Sequence, residues 1–195
     1  MAAARPTRPA LRERYDRRHD ELVAAAAREF AAHGYDQTTM AALARAGGQA
    51  TGALYHDFGS KDQLLRAICD QLVEPLLARA RELCDEQPAA DPAERLRALV
   101  RLWVAHVCAH RDHMLVFQQE RHQIESGERW RGVRASRKRF ERLVAAVLAE
   151  AGADGPLPLL ALLGMVNHTA QWYRPRGALT PEQIADGYAG LLLAR

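Results

Sequence analysis

Between Thr38 and Lys61, two short helix-forming runs are separated by a glycine pair, and a capped third run follows at once. Thr38 or Thr39 caps the first run, which ends near Arg45. Gly47 and Gly48 supply the turn, and the second run covers about Ala50 to Asp57. Ser60 and Gln63 are spaced as a capping box for the third, which extends to about residue 85 with Pro75 inside it. The proline removes one backbone bond and predicts a kink.

The remaining segments also read as helices. Leu22, Val23, Ala26, Ala27 and Phe30 recur on one helical face, so a first helix is expected over about residues 16–33, with Gly34 as its left-handed C-cap. Asp91-Pro92 starts another helix, which runs to about His110. A short helix is expected from Asp112 to Arg121 and a long one from Gly127 to Glu150. Pro156–Tyr173 is apolar nearly all round, and Thr180-Pro181 opens the last helix. No segment alternates as a strand would, so an all-α fold is expected. Its weakest boundary lies between Glu86 and Asp91.

Hydrophobic residues make up 48% of the chain and charged residues 26%, ordinary values for a globular protein. No apolar run approaches the roughly 18 residues of a membrane span, and no apolar segment follows the basic N-terminus, so no signal peptide and a cytoplasmic location are expected. Cys69, Cys84 and Cys108 are odd in number and contain no CxxC pair, which suits reduced thiols. The net charge is +3, yet the first 18 residues alone hold six arginines against Glu13 and Asp16. That is the composition of an arm that follows phosphates or of a solvated tail.

A reading helix must come close to base edges, and Ala50, Gly52 and Ala53 are small enough to allow it. The Gln49 amide suits bidentate pairing with adenine, and Thr51 offers a hydroxyl and a methyl. Tyr55 and His56, one turn on, reach phosphates or bases. Lys61 sits in the first turn of the next helix, where free amides already favour phosphate, and Thr38 and Thr39 can bond phosphate in the same way.

The composite resembles the TetR family of bacterial one-component transcriptional regulators. The residues that carry the resemblance are Ala26, Phe30, Gly34-Tyr35, Thr38-Thr39, Leu43-Ala44, Gly48, Gly52, Leu54-Tyr55, Phe58, Ser60-Lys61 and Leu64-Leu65. Two positions depart from the usual pattern: Gln49 stands where a small apolar residue is common, and Gly47 where alanine is. A second stretch, Leu163–His168, Gln171–Gly177 and Leu179–Ala185, is similar to the TetR branch that controls fatty-acid and steroid breakdown, whose members often sense acyl-CoA thioesters. The resemblance implies a homodimer that binds double-stranded operator DNA and answers to a small-molecule effector. The expected domains are a basic flexible arm over 1–15, a three-helix helix-turn-helix DNA-binding domain over 16–60, and a larger helical ligand-binding and dimerisation domain over 61–195.

An all-round apolar helix must be covered on every side, and a partner subunit is the simplest cover for one face of Pro156–Tyr173. Ile184, Tyr188, Leu191 and Leu192 of the last helix extend that face, and a two-fold pair suits a palindromic operator. Within the second domain, Trp103, Val107, His110, Met114 and Phe117 are candidate pocket residues, with Trp130, Met165, His168 and Trp172. Met and aromatic side chains adapt to irregular apolar ligands, although any one of them also serves as ordinary core. Arg111, Arg121 and Arg131 can pair with an acidic group on such a ligand.

No nucleophile motif, GxGxxG, Walker loop or HExxH occurs, so neither enzymatic activity nor a cofactor is expected. Two other readings stay open on the residues. A multidrug-sensing repressor of an efflux pump would share the first domain and differ in ligand. A helical metal protein would use His106, His110 and His113, which share a helical face but lack a clear fourth ligand, and no metal is expected.

Overall fold

A computed structural model describes residues 9–86 and 91–194. Among them are ten α-helices, one 3-10 turn and no strand. α1 (Pro9–His33) starts ahead of the expected position near residue 16, so the charged segment before Asp16 continues the helix. Residues 1–8 of the expected arm lie outside the described residues. Gly34 closes α1 at φ +81°, with its amide donating to the Phe30 carbonyl at 2.8 Å.

α2 (Met40–Ala46) is capped by Thr39, whose hydroxyl accepts from the Ala42 amide at 3.2 Å. α3 (Thr51–Phe58) follows the turn, in which Gly48 has φ +65°. Gly47 has a different reason to be glycine. A Cβ there would stand 2.4 Å from Leu22 Cδ2, because α1 presses this side chain onto the turn. An alanine here would require the Leu22 side chain to move aside.

α4 (Lys61–Glu86) is held at its start by the Ser60 hydroxyl, which accepts from the Gln63 amide at 3.2 Å. The other half of the expected capping box is not made: the Ser60 amide donates to the Phe58 carbonyl at 2.8 Å instead. The helix continues through Pro75, which has no amide to offer the Gln71 carbonyl.

α5 (Pro92–Ala109) begins at its Asp91 cap, and α6 (Arg111–Gln119) follows directly. The expected long helix from Gly127 starts later. A six-residue α7 (Arg121–Ser126) comes first, then extended Gly127 and a 3-10 turn at Glu128–Trp130, and only then α8 (Arg131–Glu150). α9 (Pro156–Trp172) and α10 (Pro181–Leu193) close the chain, α10 with both halves of its Thr180–Gln183 capping box.

α1 to α4 share one core. Val23, Ala27 and Phe30 meet Leu43 of α2, Leu54 and Phe58 of α3, and Leu64, Leu65 and Ile68 of α4. The C-terminal half of α4 carries the same buried cluster on to the helices around α5, where the Trp103 ring stands edge-on to Phe140 of α8 at 4.8 Å. α4 thus links the two ends of that cluster. Side-chain ties reinforce the joint. Gln71 Nε2 donates to Asp20 of α1 at 2.7 Å, and Gln119 of α6 to the Ala31 carbonyl at 3.4 Å. Arg129 pairs with Asp62. The expected boundary near Glu86–Asp91 falls mostly on 87–90, outside the described residues.

Candidate nucleic-acid interface and effector cavity

α3 is anchored by Leu54 and Phe58, one turn apart and both buried. The opposite face is open. Tyr55 is 50% exposed, His56, Gly52 and Ala50 are exposed, and a Cβ on Gly52 would meet nothing within 4 Å. A flat, small-residue front with one tyrosine at its centre allows the helix backbone to approach a groove closely. Thr51 and Ala53 flank this face and are half-buried; Thr39 is exposed at the α2 N-terminus.

Three candidates sit differently. Thr38 is buried, and its hydroxyl donates to the Gly34 carbonyl at 2.7 Å, so it closes the α1–α2 loop and faces away from solvent. The Lys61 ammonium donates to the Tyr35 carbonyl at 2.8 Å, to Thr38 at 3.2 Å and to Asp36 at 3.4 Å, and lies 4.3 Å from the Tyr35 ring centre. Its donors point into that loop. Gln49 is half-buried, and its Oε1 accepts from Arg18 Nη2 at 2.9 Å. The polar departure at Gln49 therefore bonds to α1. Nothing in the residue types announces these bonds: Thr38 bonds four residues back, and the partners of Lys61 and Gln49 lie more than twenty residues away in sequence.

A cavity of about 660 Å³ opens among α4, α5, α6, α8 and α9. This is within the range of small-molecule sites. Of the candidate pocket residues, Trp103, Val107, Met114, Phe117 and His168 line it. His110, Trp130, Met165 and Trp172 do not. His110 stacks on His106 at 4.2 Å and donates from Nδ1 to the His106 carbonyl at 3.0 Å. Trp130 is sealed into the core beside Gly127, Met165 packs against the core from another face of α9, and Trp172 is exposed at the end of that helix. Leu72, Leu76 and Phe140 also line it, with Val73 and the α9 residues Leu159 and Leu163. Helical periodicity marks these residues as apolar without telling which cavity they face.

The cavity is two-sided. Its inner wall, with Leu72, Trp103, Val107 and Phe140, is buried. Its rim carries Gln118, Arg121, Arg137, Glu141, Asn167, His168 and Gln171. Arg121 pairs with Glu125 at 2.7 Å, and Arg137 with Glu141 at 3.0 Å. Of the three arginines proposed for an acidic ligand group, Arg121 alone reaches the rim; Arg111 pairs with Asp112 at 3.5 Å and Arg131 with Glu128.

The three histidines take structural partners. His106 Nε2 donates to the Leu72 carbonyl at 2.8 Å, and His113 Nε2 to Gln71 Oε1 at 3.2 Å. Burial first, and the nearby His110 next, lower both pKa values to about 4. Among the described residues no group of three His, Cys, Asp or Glu side chains is arranged to hold a metal ion. No described helix is long and apolar enough to cross a membrane. Cys69, Cys84 and Cys108 are free.

Residues 22–68 match the N-terminal domain described as bacterial regulatory proteins, tetR family, and residues 89–195 match the tetracyclin repressor-like C-terminal domain. The chain belongs to the TetR family. As a TetR protein it is a DNA-binding transcriptional regulator with an N-terminal helix-turn-helix domain and an all-helical C-terminal domain. It is similar to the HTH-type transcriptional repressor KstR2 of Mycobacterium tuberculosis, at 28% identity over 90% of this chain and 91% of that protein. The structure of that ketosteroid transcriptional regulator aligns with a TM-score of 0.79 and 27% identity over 91% of this chain and 93% of that one. AibR, solved with isovaleryl coenzyme A and operator DNA, aligns with a TM-score of 0.72 and 30% identity over 90% and 98% of the two chains.

Proposed function

We propose that this protein is a cytoplasmic, homodimeric repressor of lipid or steroid catabolism genes, released from a palindromic operator by a CoA-thioester effector. The observation that carries the reading is the two-sided cavity. Its apolar inner wall suits an acyl or alicyclic group, and Arg121 and Arg137 at the rim suit the acidic part of the carrier. The AibR complex with isovaleryl coenzyme A supports the same ligand class, and the likeness to the ketosteroid regulator KstR2 supports the steroid part of the reading.

The DNA-binding domain spans residues 16–60 together with the N-terminal extension of α1, the arm lies N-terminal to it, and residues 61–195 bind effector and partner. In the dimer, Leu157, Leu160 and Trp172 of α9 and Leu191 of α10, all exposed in the single chain, cover one another. Two copies of α3 then stand one turn of DNA apart, roughly 34–36 Å. The face of α3 with Ala50, Thr51, Gly52, Ala53, Tyr55 and His56 enters the groove; Thr39 takes a phosphate, and Gln49, Thr38 and Lys61 hold that surface in shape.

An effector in the cavity presses on Met114 and Phe117 of α6 and on Leu72 and Leu76 of α4. Those helices hold the head through Gln71, Asp20 and Gln119. Displacing them changes the spacing of the two reading helices, and the effector prefers the state in which that spacing no longer fits DNA.

The test is footprinting on the protein's own promoter with a panel of CoA thioesters. A protected two-fold site lost on adding a thioester is the expected result. A footprint indifferent to every thioester but erased by cationic dyes would replace this ligand class with that of an efflux-pump regulator.

A further inference from the structure

His106 is the one histidine of the α5–α6 cluster that reaches the cavity, and it sits on the inner wall beside Leu72, Trp103 and Val107. It is 5% exposed. Its Nε2 lies 2.8 Å from the Leu72 carbonyl, which can only accept, so Nε2 carries the proton. Burial and the neighbouring His110 disfavour a second proton. Nδ1 is therefore a bare lone pair: among the described residues no donor is placed on it, and it is not one of the sealed side-chain atoms left without a partner, so it stays open to the cavity that His106 lines. A ligand that fills this apolar wall without donating to Nδ1 would seal that lone pair away unpaired, which is costly.

We propose that His106 Nδ1 accepts a hydrogen bond from a hydroxyl on the buried part of the effector, which makes the ligand class hydroxylated acyl or alicyclic CoA thioesters. This rests on the thioester reading above. A ketone at the same place offers only lone pairs and gains nothing. A saturated chain leaves Nδ1 unpaired or traps a water. The same imidazole bonds the Leu72 carbonyl one turn before Pro75, so a ligand that grips it also grips α4.

The probes are one medium-chain acyl-CoA and its derivatives, with a single hydroxyl or a single ketone moved along the chain, titrated calorimetrically into the full-length protein. At one position the hydroxyl should improve affinity about tenfold over the parent, and the ketone should not. His106→Phe should erase that preference, read as the ratio of hydroxylated to parent affinity within the variant. His106→Gln, whose amide both donates and accepts, should keep it. Should the phenylalanine variant not fold, 15N spectra of histidine-labelled wild type decide: the His106 Nδ1 resonance moves upfield with the hydroxylated probe alone. Equal binding of parent and hydroxylated probes, or a preference that survives His106→Phe, overturns the hydroxyl assignment and leaves the thioester reading standing. Absence of binding by every thioester overturns both.

Discussion

At the scale of single residues, position in the fold decides what a polar group does. Lys61 is placed as a phosphate ligand would be, at the first turn of a helix beside the reading helix, yet its ammonium is taken up by three loop carbonyls. Lys61→Ala should therefore cost about 2 kcal/mol of stability, seen as a lowered melting temperature. The slope of log Kd against log salt for operator binding should not change. A fall of about 0.9 in that slope would return Lys61 to direct phosphate contact. His106 and His113 make a pH prediction. Both have pKa values lowered to about 4 in the fold, whereas unfolded histidine titrates near 6.5. Below 6.5 the unfolded chain takes up protons that the folded one refuses. Stability present above pH 6.5 is thus lost as pH falls toward 4, by roughly 1–2 kcal/mol per histidine at pH 5. Urea midpoints at pH 7.5 and 5 measure it, and replacement of both histidines by glutamine should flatten the difference.

At the scale of elements, the caps were legible in the sequence because they are local. Thr39, Asp91 and Thr180 each act on a backbone amide three residues on. The interrupted run from Arg121 to Trp130 was not legible, since one short helix and one tight turn hold too few residues to show a period. The start of α1 was missed for another reason: arginines dominate its first turns, and no apolar face marks them. Of the cavity, the α5 and α6 residues Trp103, Val107, Met114 and Phe117 were readable as bulky side chains on one stretch. The α4 and α8 walls were not, because a wall depends on which helix faces which. α4 carries the element-scale prediction. Pro75 is exposed, so Pro75→Ala removes no packing and restores a donor for the Gln71 carbonyl. The variant should melt higher, by about 1–2 kcal/mol, as expected when an interior helix proline is relieved. A stiffer lever should also transmit less, so the thioester-induced rise in operator Kd should shrink. An unchanged response would place the coupling outside α4.

At the scale of the whole molecule, the single chain is incomplete at one surface. Leu157 is 75% exposed and Leu191 69%, on the two C-terminal helices. Glutamates at both positions do not disturb the core of one chain but place charges in a two-fold contact. Light scattering should report a monomer for Leu157→Glu/Leu191→Glu, with near-native ellipticity and operator affinity reduced at least a hundredfold. A double variant that remains dimeric would move the interface elsewhere. The larger claim joins the two ends of the molecule: occupancy of the cavity and grip on DNA are alternatives. Such coupling is reciprocal by thermodynamic necessity. Calorimetric titration of the best-binding CoA thioester into the free dimer, and into the dimer saturated with its operator fragment, tests this directly. The account predicts that operator DNA weakens thioester binding by the same factor, at least tenfold, by which the thioester weakens operator binding. Equal thioester affinity with and without DNA would contradict it.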